Sequence, residues 1–281
     1  MIWGFDMESM SGSKETRGLS VRERLILGQF MRKRRVTITG PDVAKELGID
    51  RPLANKILMR LERKGWVQRG KRGAYIFVPL SSLTAETMPE DPWALAMELF
   101  SPCFISGFTA AEHWDLTEQI FNTIVVFSTR PQRMSVQKFA NVTFRIHRIP
   151  EEEFFGTKKV WRNSIPILIA DPHRTLIDVL DKPELGGGGR HALDIAHAYW
   201  KGGAADPDRV FQYAGKLGRG VVFKRMGFTA ESWGSVSQDW LAACRKHISA
   251  GISKLDASGS EKGRIITRWG LRINLPLEEY A

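Results

Sequence analysis

The stretch that most constrains this chain is residues 37–80, where start and stop signals follow one another closely. Thr39 offers a hydroxyl to the free amide hydrogens of a first turn, and Pro41 follows where a missing N–H is harmless. Val43, Ala44 and Leu47 recur at helical spacing and predict an inward stripe. Gly48 supplies the positive φ that ends a helix. Asp50 and Pro52 repeat the start signal at once, and Leu53, Ile57, Leu58 and Leu61 make the next apolar stripe, closed by Gly65. Residues 66–79 then read as strand, turn, strand, with Gly70 and Gly73 suited to a tight reversal.

Helix, turn, helix and a two-stranded wing predict a winged helix-turn-helix over residues 20–80. Residues 20–35 supply its supporting helix. Such a module lays its second helix in the major groove of a duplex. Charge agrees with this. Residues 20–80 hold 15 Lys and Arg against 5 Asp and Glu, a net of +10 that equals the whole-chain value. Cations gathered on one small unit are the footprint of a duplex binder. Arg51, Asn55 and Lys56 open the second helix, where side chains reach base edges, while Arg60, Arg63, Lys64, Arg69, Lys71 and Arg72 are placed to hold phosphates. The run 32–35, all Arg and Lys, suits either a helix C-terminus or phosphate contact. The blander alternative is a basic helical bundle that binds RNA, an acidic protein or nothing.

A chain of 281 residues is long enough for two domains. Cys103 and Cys244 give no disulfide framework and no zinc spacing, which fits a reducing cytoplasm. No apolar run is long enough to span a membrane, and the start of the chain lacks a signal-peptide pattern. Residues 1–19 read as a flexible tail. Residues 81–92, rich in Ser, Thr, Glu and Pro, read as a linker, with a second domain over 93–281.

That second domain reads as a small sheet covered by helices, making the chain α+β. Strands are predicted at 120–128, 141–149, 154–161 and 165–170, with a turn at 162–164. Helices are predicted over 171–182, 190–200, 206–217, 220–226 and 238–247, and a last strand near 264–276 returning to the sheet. Four consecutive glycines, 186–189, read as a hinge, since no nucleotide-loop pattern surrounds them. Three groups hold candidate acid–base or metal-ligating residues: Glu112, His113 and Asp115; Asp171, His173 and Asp178; His191, Asp194 and His197. Each has a structural reading too, as helix cap, packing residue or solvated pair. No catalytic residue, cofactor or metal site is assigned, and the chain is expected not to be an enzyme. Arg130, Arg145, Arg148 and Arg174 are expected on a polar surface patch.

Residues 93–276 also resemble the AbiEi family of antitoxins. The matching pieces are ISGFTAAEHWDLTEQ (105–119), IADPHRTLIDVLDKPELGGG (169–188), KLGRGVVFKRMGF (216–228) and TRWGLRINLP (267–276), in the family's order. The glycine run is longer than is usual there. The resemblance implies an antitoxin of an abortive-infection system that represses its own operon at inverted repeats in its promoter. It also implies action against a co-encoded nucleotidyltransferase toxin without a stable complex. The competing expectation is a transcription regulator whose second domain senses a ligand or forms a dimer. An enzyme acting on bound DNA is a further alternative.

Overall fold

The computed structural model describes residues 18–33, 35–70, 73–78, 91–139 and 141–276. Most of the expected tail (1–19) and linker (81–92) therefore lies outside the described residues, as do Lys71 and Arg72. The described chain divides into two compact units, one running to Leu99 and including Lys138–Thr143, the other holding Phe100–Gln137 and the rest from Phe144.

In the first unit, helix α1 (Val21–Arg32) is followed by strand β1 (Thr37–Thr39), α2 (Gly40–Leu47), α3 (Arg51–Arg63), β2 (Val67–Arg69), β3 (Ala74–Phe77) and α4 (Pro92–Phe100). The start signals act as the sequence predicts. Thr39 and Asp42 form a reciprocal cap on α2, and the Asp50 carboxylate accepts from the Leu53 amide at 3.0 Å. Gly48 ends α2 at φ 62°. The core joins Ile26, Leu27 and Phe30 of α1 to Val43, Ala54, Ile57, Leu58 and Leu61. One expected core residue differs: Leu53 is 40% exposed, and Ala54 takes the inward position. Ala54 stands three and four residues before Ile57 and Leu58, on their face of the helix. The wing has three strands, in the order β1-β3-β2, because the 37–39 segment pairs antiparallel with β3.

The first compact unit runs on to Leu99, a few residues past position 93, where the sequence sets the start of the second domain. The carboxylate of Glu98, on α4, accepts from the amides of Val36 and Thr37 at 2.9 and 3.0 Å, and from the Thr37 hydroxyl. These bonds tie most of α4 to β1 within the first unit, beyond the polar linker that marks a boundary in the sequence.

The second part of the chain adds β4 (Cys103–Ile105), α5 (Gly107–His113), β5 (Thr123–Ser128), β6 (Val136–Phe139), β7 (Val142–Arg148), β8 (Thr157–Arg162) and β9 (Ile165–Ala170). These strands form one sheet in the order β6-β7-β5-β4-β9-β8. Most of its pairing is antiparallel, but β4 runs parallel to β9. Asn163 and Ser164 turn the β8–β9 hairpin with φ of 47° and 63°. Helices α6 (Pro172–Asp181), α7 (Gly189–Lys201), α8 (Pro207–Leu217), α9 (Gly220–Trp233) and α10 (Gln238–Lys246) follow. Leu176, Ile177, Val179 and Leu180 of α6 are buried in one core with Ala192, Leu193, Val210, Ala214, Val222 and Met226.

The end of the chain does not return to the large sheet. Strands β10 (Ser253–Lys254), β11 (Arg264–Ile266) and β12 (Leu271–Ile273) make a separate sheet, ordered β10-β12-β11. Trp269, between β11 and β12, is wholly buried against Gly227, where a Cβ would stand 2.2 Å from the ring. Most of the glycine run is likewise packed. A Cβ on Gly189, at the start of α7, would meet Asp256 at 2.4 Å. The fold is thus α+β, a winged helix followed by a mixed body.

Candidate nucleic-acid interface

Helix α3 buries Ala54, Ile57, Leu58 and Leu61, so the geometry of a 3.6-residue turn fixes what faces outward. Arg51, Pro52, Asn55, Lys56, Met59, Arg60 and Arg63 are exposed. Arg51, Lys56, Arg60 and Arg63 make no ion pair with another described residue, so their charge is open to solvent. The helix's one acid, Glu62, is half-buried on its flank. On the wing, Arg69 is exposed beside the turn in which the Gly70 amide donates to the Ala74 carbonyl at 3.0 Å.

Two residues of the predicted set are held by neighbours. Lys64, at the C-cap of α3, donates to the Glu23 carboxylate at 2.6 Å, and Glu23 is almost wholly buried. Its charge is directed into the unit. Asn55 is exposed, yet it leans on the start of α2: a Cβ on Gly40 would stand 2.1 Å from its Oδ1. Glycine at position 40 is what lets α3 cross so near. Lys71 and Arg72 lie outside the described residues. Within the basic run after α1, Lys33 pairs with Glu46, and Arg35 meets Asp42 at 3.1 Å and Glu98 at 3.5 Å. Those two cations therefore serve the first unit's own structure.

Met59 was not legible as a site residue. It is 51% exposed in the middle of the outward face of α3, one turn beyond Asn55 and Lys56. A methionine among helical cations reads as a stray core residue until the phase of the helix is fixed by Ala54.

Several residues of the other candidate groups make local structural contacts. The Asp171 carboxylate caps α6, accepting from the Arg174 amide at 2.8 Å, and takes the Tyr213 hydroxyl at 2.9 Å. His173 Nδ1 lies 2.7 Å from the Tyr199 hydroxyl. Asp178 is fully enclosed, held by Arg174 Nε at 2.8 Å and by the Ser106 hydroxyl at 2.6 Å. Burial pushes its pKa up to about 6, against the pull of Arg174. Arg174 therefore does not join the expected surface patch. It is wholly buried, with its guanidinium 4.2 Å from the centre of the Phe155 ring. Arg145 instead donates to the Glu184 carbonyl at 2.9 Å. His191 and Asp194 stand 3.7 Å apart, and His197 packs edge-on against Trp233. Among the described residues, no group of three or more His, Cys, Asp or Glu is placed to hold a metal ion. No helix among them is long and apolar enough to cross a membrane.

Residues 18–82 match the family model described as the sugar-specific transcriptional regulator TrmB. A comparison with curated proteins finds no match. Among solved structures, the chain is similar to the crystal structure of the RV2827C protein from Mycobacterium tuberculosis, with a TM-score of 0.62. That likeness covers 93% of this chain and 94% of the other at 15% identity, so it speaks to the fold alone. With the family match on one side and the bare cationic face of α3 on the other, residues 18–82 are a winged-helix DNA-binding domain of the transcription-regulator kind.

Proposed function

We propose that this protein is a DNA-binding antitoxin and autorepressor. The winged helix holds inverted repeats in the protein's own promoter. The second unit counters a co-encoded nucleotidyltransferase toxin, with no chemistry of its own. The observation that carries the DNA half is the outward face of α3, four cations that make no ion pair among the described residues and have no acid between them. Arg51, Asn55 and Lys56 read base edges there, arginine suiting guanine and asparagine suiting adenine. Arg60, Arg63 and Arg69, with Lys71 and Arg72, hold phosphates. Lys64 contributes little to the duplex, since Glu23 already holds it. The antitoxin half is supported by the resemblance over 93–276, most of all by residues 169–188.

A second reading is favoured by the matched family's description as sugar-specific. In it, the chain is a regulator whose second unit binds a small molecule. The match ends at residue 82, so it bears on the DNA-binding part.

One experiment separates the readings. The full chain and its Arg60→Ala/Arg63→Ala variant are each expressed with the product of the adjacent gene. Growth is scored, and retention of a duplex from the upstream region is measured at low ionic strength. The antitoxin reading expects both proteins to restore growth and only the unaltered chain to hold the duplex. No rescue by either would end the antitoxin half. An unretained duplex would end the DNA half.

A further inference from the structure

The geometry points to Met59 as a specificity-determining residue that recognises the 5-methyl group of a thymine in the bound duplex. This rests on the reading of α3 as the groove-facing helix. Met59 is 51% exposed on a face whose centre is opposite the buried line Ala54, Ile57, Leu58 and Leu61. Pro52, Lys56, Met59 and Arg63 follow one another at helical spacing along that outward line, all exposed. Met59 thus stands one turn past Lys56, about 5 Å further along the helix axis. Arg60 beside it and Arg63 one turn on present charge to a polyanion, so the occupant of this face is a nucleic-acid duplex rather than an apolar partner.

The major groove of such a duplex offers one apolar group, the thymine methyl. A methionine suits it. Its thioether chain is unbranched and adapts to a small apolar target. No hydrogen-bonding role competes, since the side chain lacks a donor and is only a weak acceptor. Asn55, exposed on the α2 side of the face where its amide nears Gly40, reads a base from that side and leaves the centre of the face to Met59. Met59 is then the side chain free to move toward a base edge at that level.

The test starts from duplexes selected by the full-length protein out of a random library. Each thymine of the preferred sequence is replaced in turn by deoxyuridine, which removes only the methyl. At one position per half-site, affinity should fall about fourfold, the value of one methyl group withdrawn from water. In the Met59→Ala variant the same replacement should have no effect, and other thymines should be silent in both proteins. Met59→Leu, which keeps an apolar side chain, should retain most of the sensitivity. Unchanged binding of the unaltered protein to every deoxyuridine duplex would overturn the assignment, as would an equal loss in Met59→Ala. If no duplex were selected at all, the groove-facing reading beneath it would fail as well.

Discussion

The Nζ of Lys64 lies 2.6 Å from Oε2 of Glu23, joining the end of α3 to the first turn of α1. The same carboxylate oxygen accepts from the Ser20 amide at 2.7 Å, so one buried acid both caps α1 and anchors α3. Burial pushes the Glu23 pKa up, but the Lys64 ammonium and the Ser20 groups outweigh it, and the net shift is downward. The folded state therefore binds this proton less tightly than the unfolded one. The stability it confers is present above the ordinary glutamate pKa and is lost as pH falls through the lowered value. Glu23→Gln should cost roughly 2 kcal/mol at neutral pH, the range of a charge-assisted hydrogen bond, with the difference shrinking in acid. Urea titrations of both proteins from neutral pH to pH 3 measure it. A constant difference would contradict the pairing.

Lys64→Met should separate structure from binding. It leaves Glu23 buried without its cation and should lower stability by an amount similar to Glu23→Gln. Its effect on the salt dependence of duplex binding should be small. A fall of about one in the slope of log K against log salt would instead place Lys64 on a phosphate.

Glu98 supports the wing from a distance in sequence. Its carboxylate takes two backbone amides and one hydroxyl at the start of β1. Glu98→Ala removes all three hydrogen bonds, and about 3 kcal/mol of local stability should go with them. Amide exchange at Val36 and Thr37 should rise steeply in this variant and less in Glu98→Gln, which keeps one oxygen. Equal protection in all three proteins would show that the clamp does not hold β1.

What the sequence made legible is what lies within a turn or two of its cause. Thr39 before α2, Asp50 before α3 and Gly48 after α2 all act over three or four residues. They locate α2 and α3 directly. Glu98 bonds residues 61 and 62 positions away, so no local pattern announces it. Arg174 carries a charge, which argues for the surface, until Asp178 and the Phe155 ring are brought round it. The last strands alternate well enough to be read as strands, but whether they join the large sheet depends on where Trp269 is seated. Leu53 and Met59 share a cause. A one-residue phase error on α3 assigns a leucine to the core and overlooks a methionine on the outward face.

The division of labour along α3 has a direct check. Asn55→Ala should cost roughly 1–3 kcal/mol on the selected duplex and relax preference at one base pair. Arg63→Ala should weaken all duplexes alike and reduce the salt slope by about one. Binding measured on the selected duplex, a scrambled duplex and a salt series distinguishes the two. Identical profiles for both variants would remove the distinction between base reading and phosphate holding.

Asp178 gives the second unit a dependence on pH of its own. It is enclosed with Arg174, and burial raises its pKa from the ordinary aspartate value to about 6. At pH 7 most of the carboxyl is therefore ionised. In the folded state the carboxyl binds its proton more tightly than in the unfolded chain. Its contribution to stability is then fully present below the unfolded value, near 4, and is lost as pH rises through about 6. Asp178→Asn should remove that dependence. At pH 7 it should cost little, because the raised pKa means that burial outweighs the attraction of Arg174 and a neutral side chain is tolerated in this place. Denaturant titrations between pH 4 and 7 measure both effects in the full chain. A loss well above about 2 kcal/mol for Asp178→Asn at pH 7 would show instead that the attraction of Arg174 outweighs burial, and the raised pKa would be wrong. Arg174→Met distinguishes the two partners, since it strands the acid instead. A stranded acid escapes its penalty by taking up a proton, so this variant should recover stability as pH falls, whereas Asp178→Asn should not.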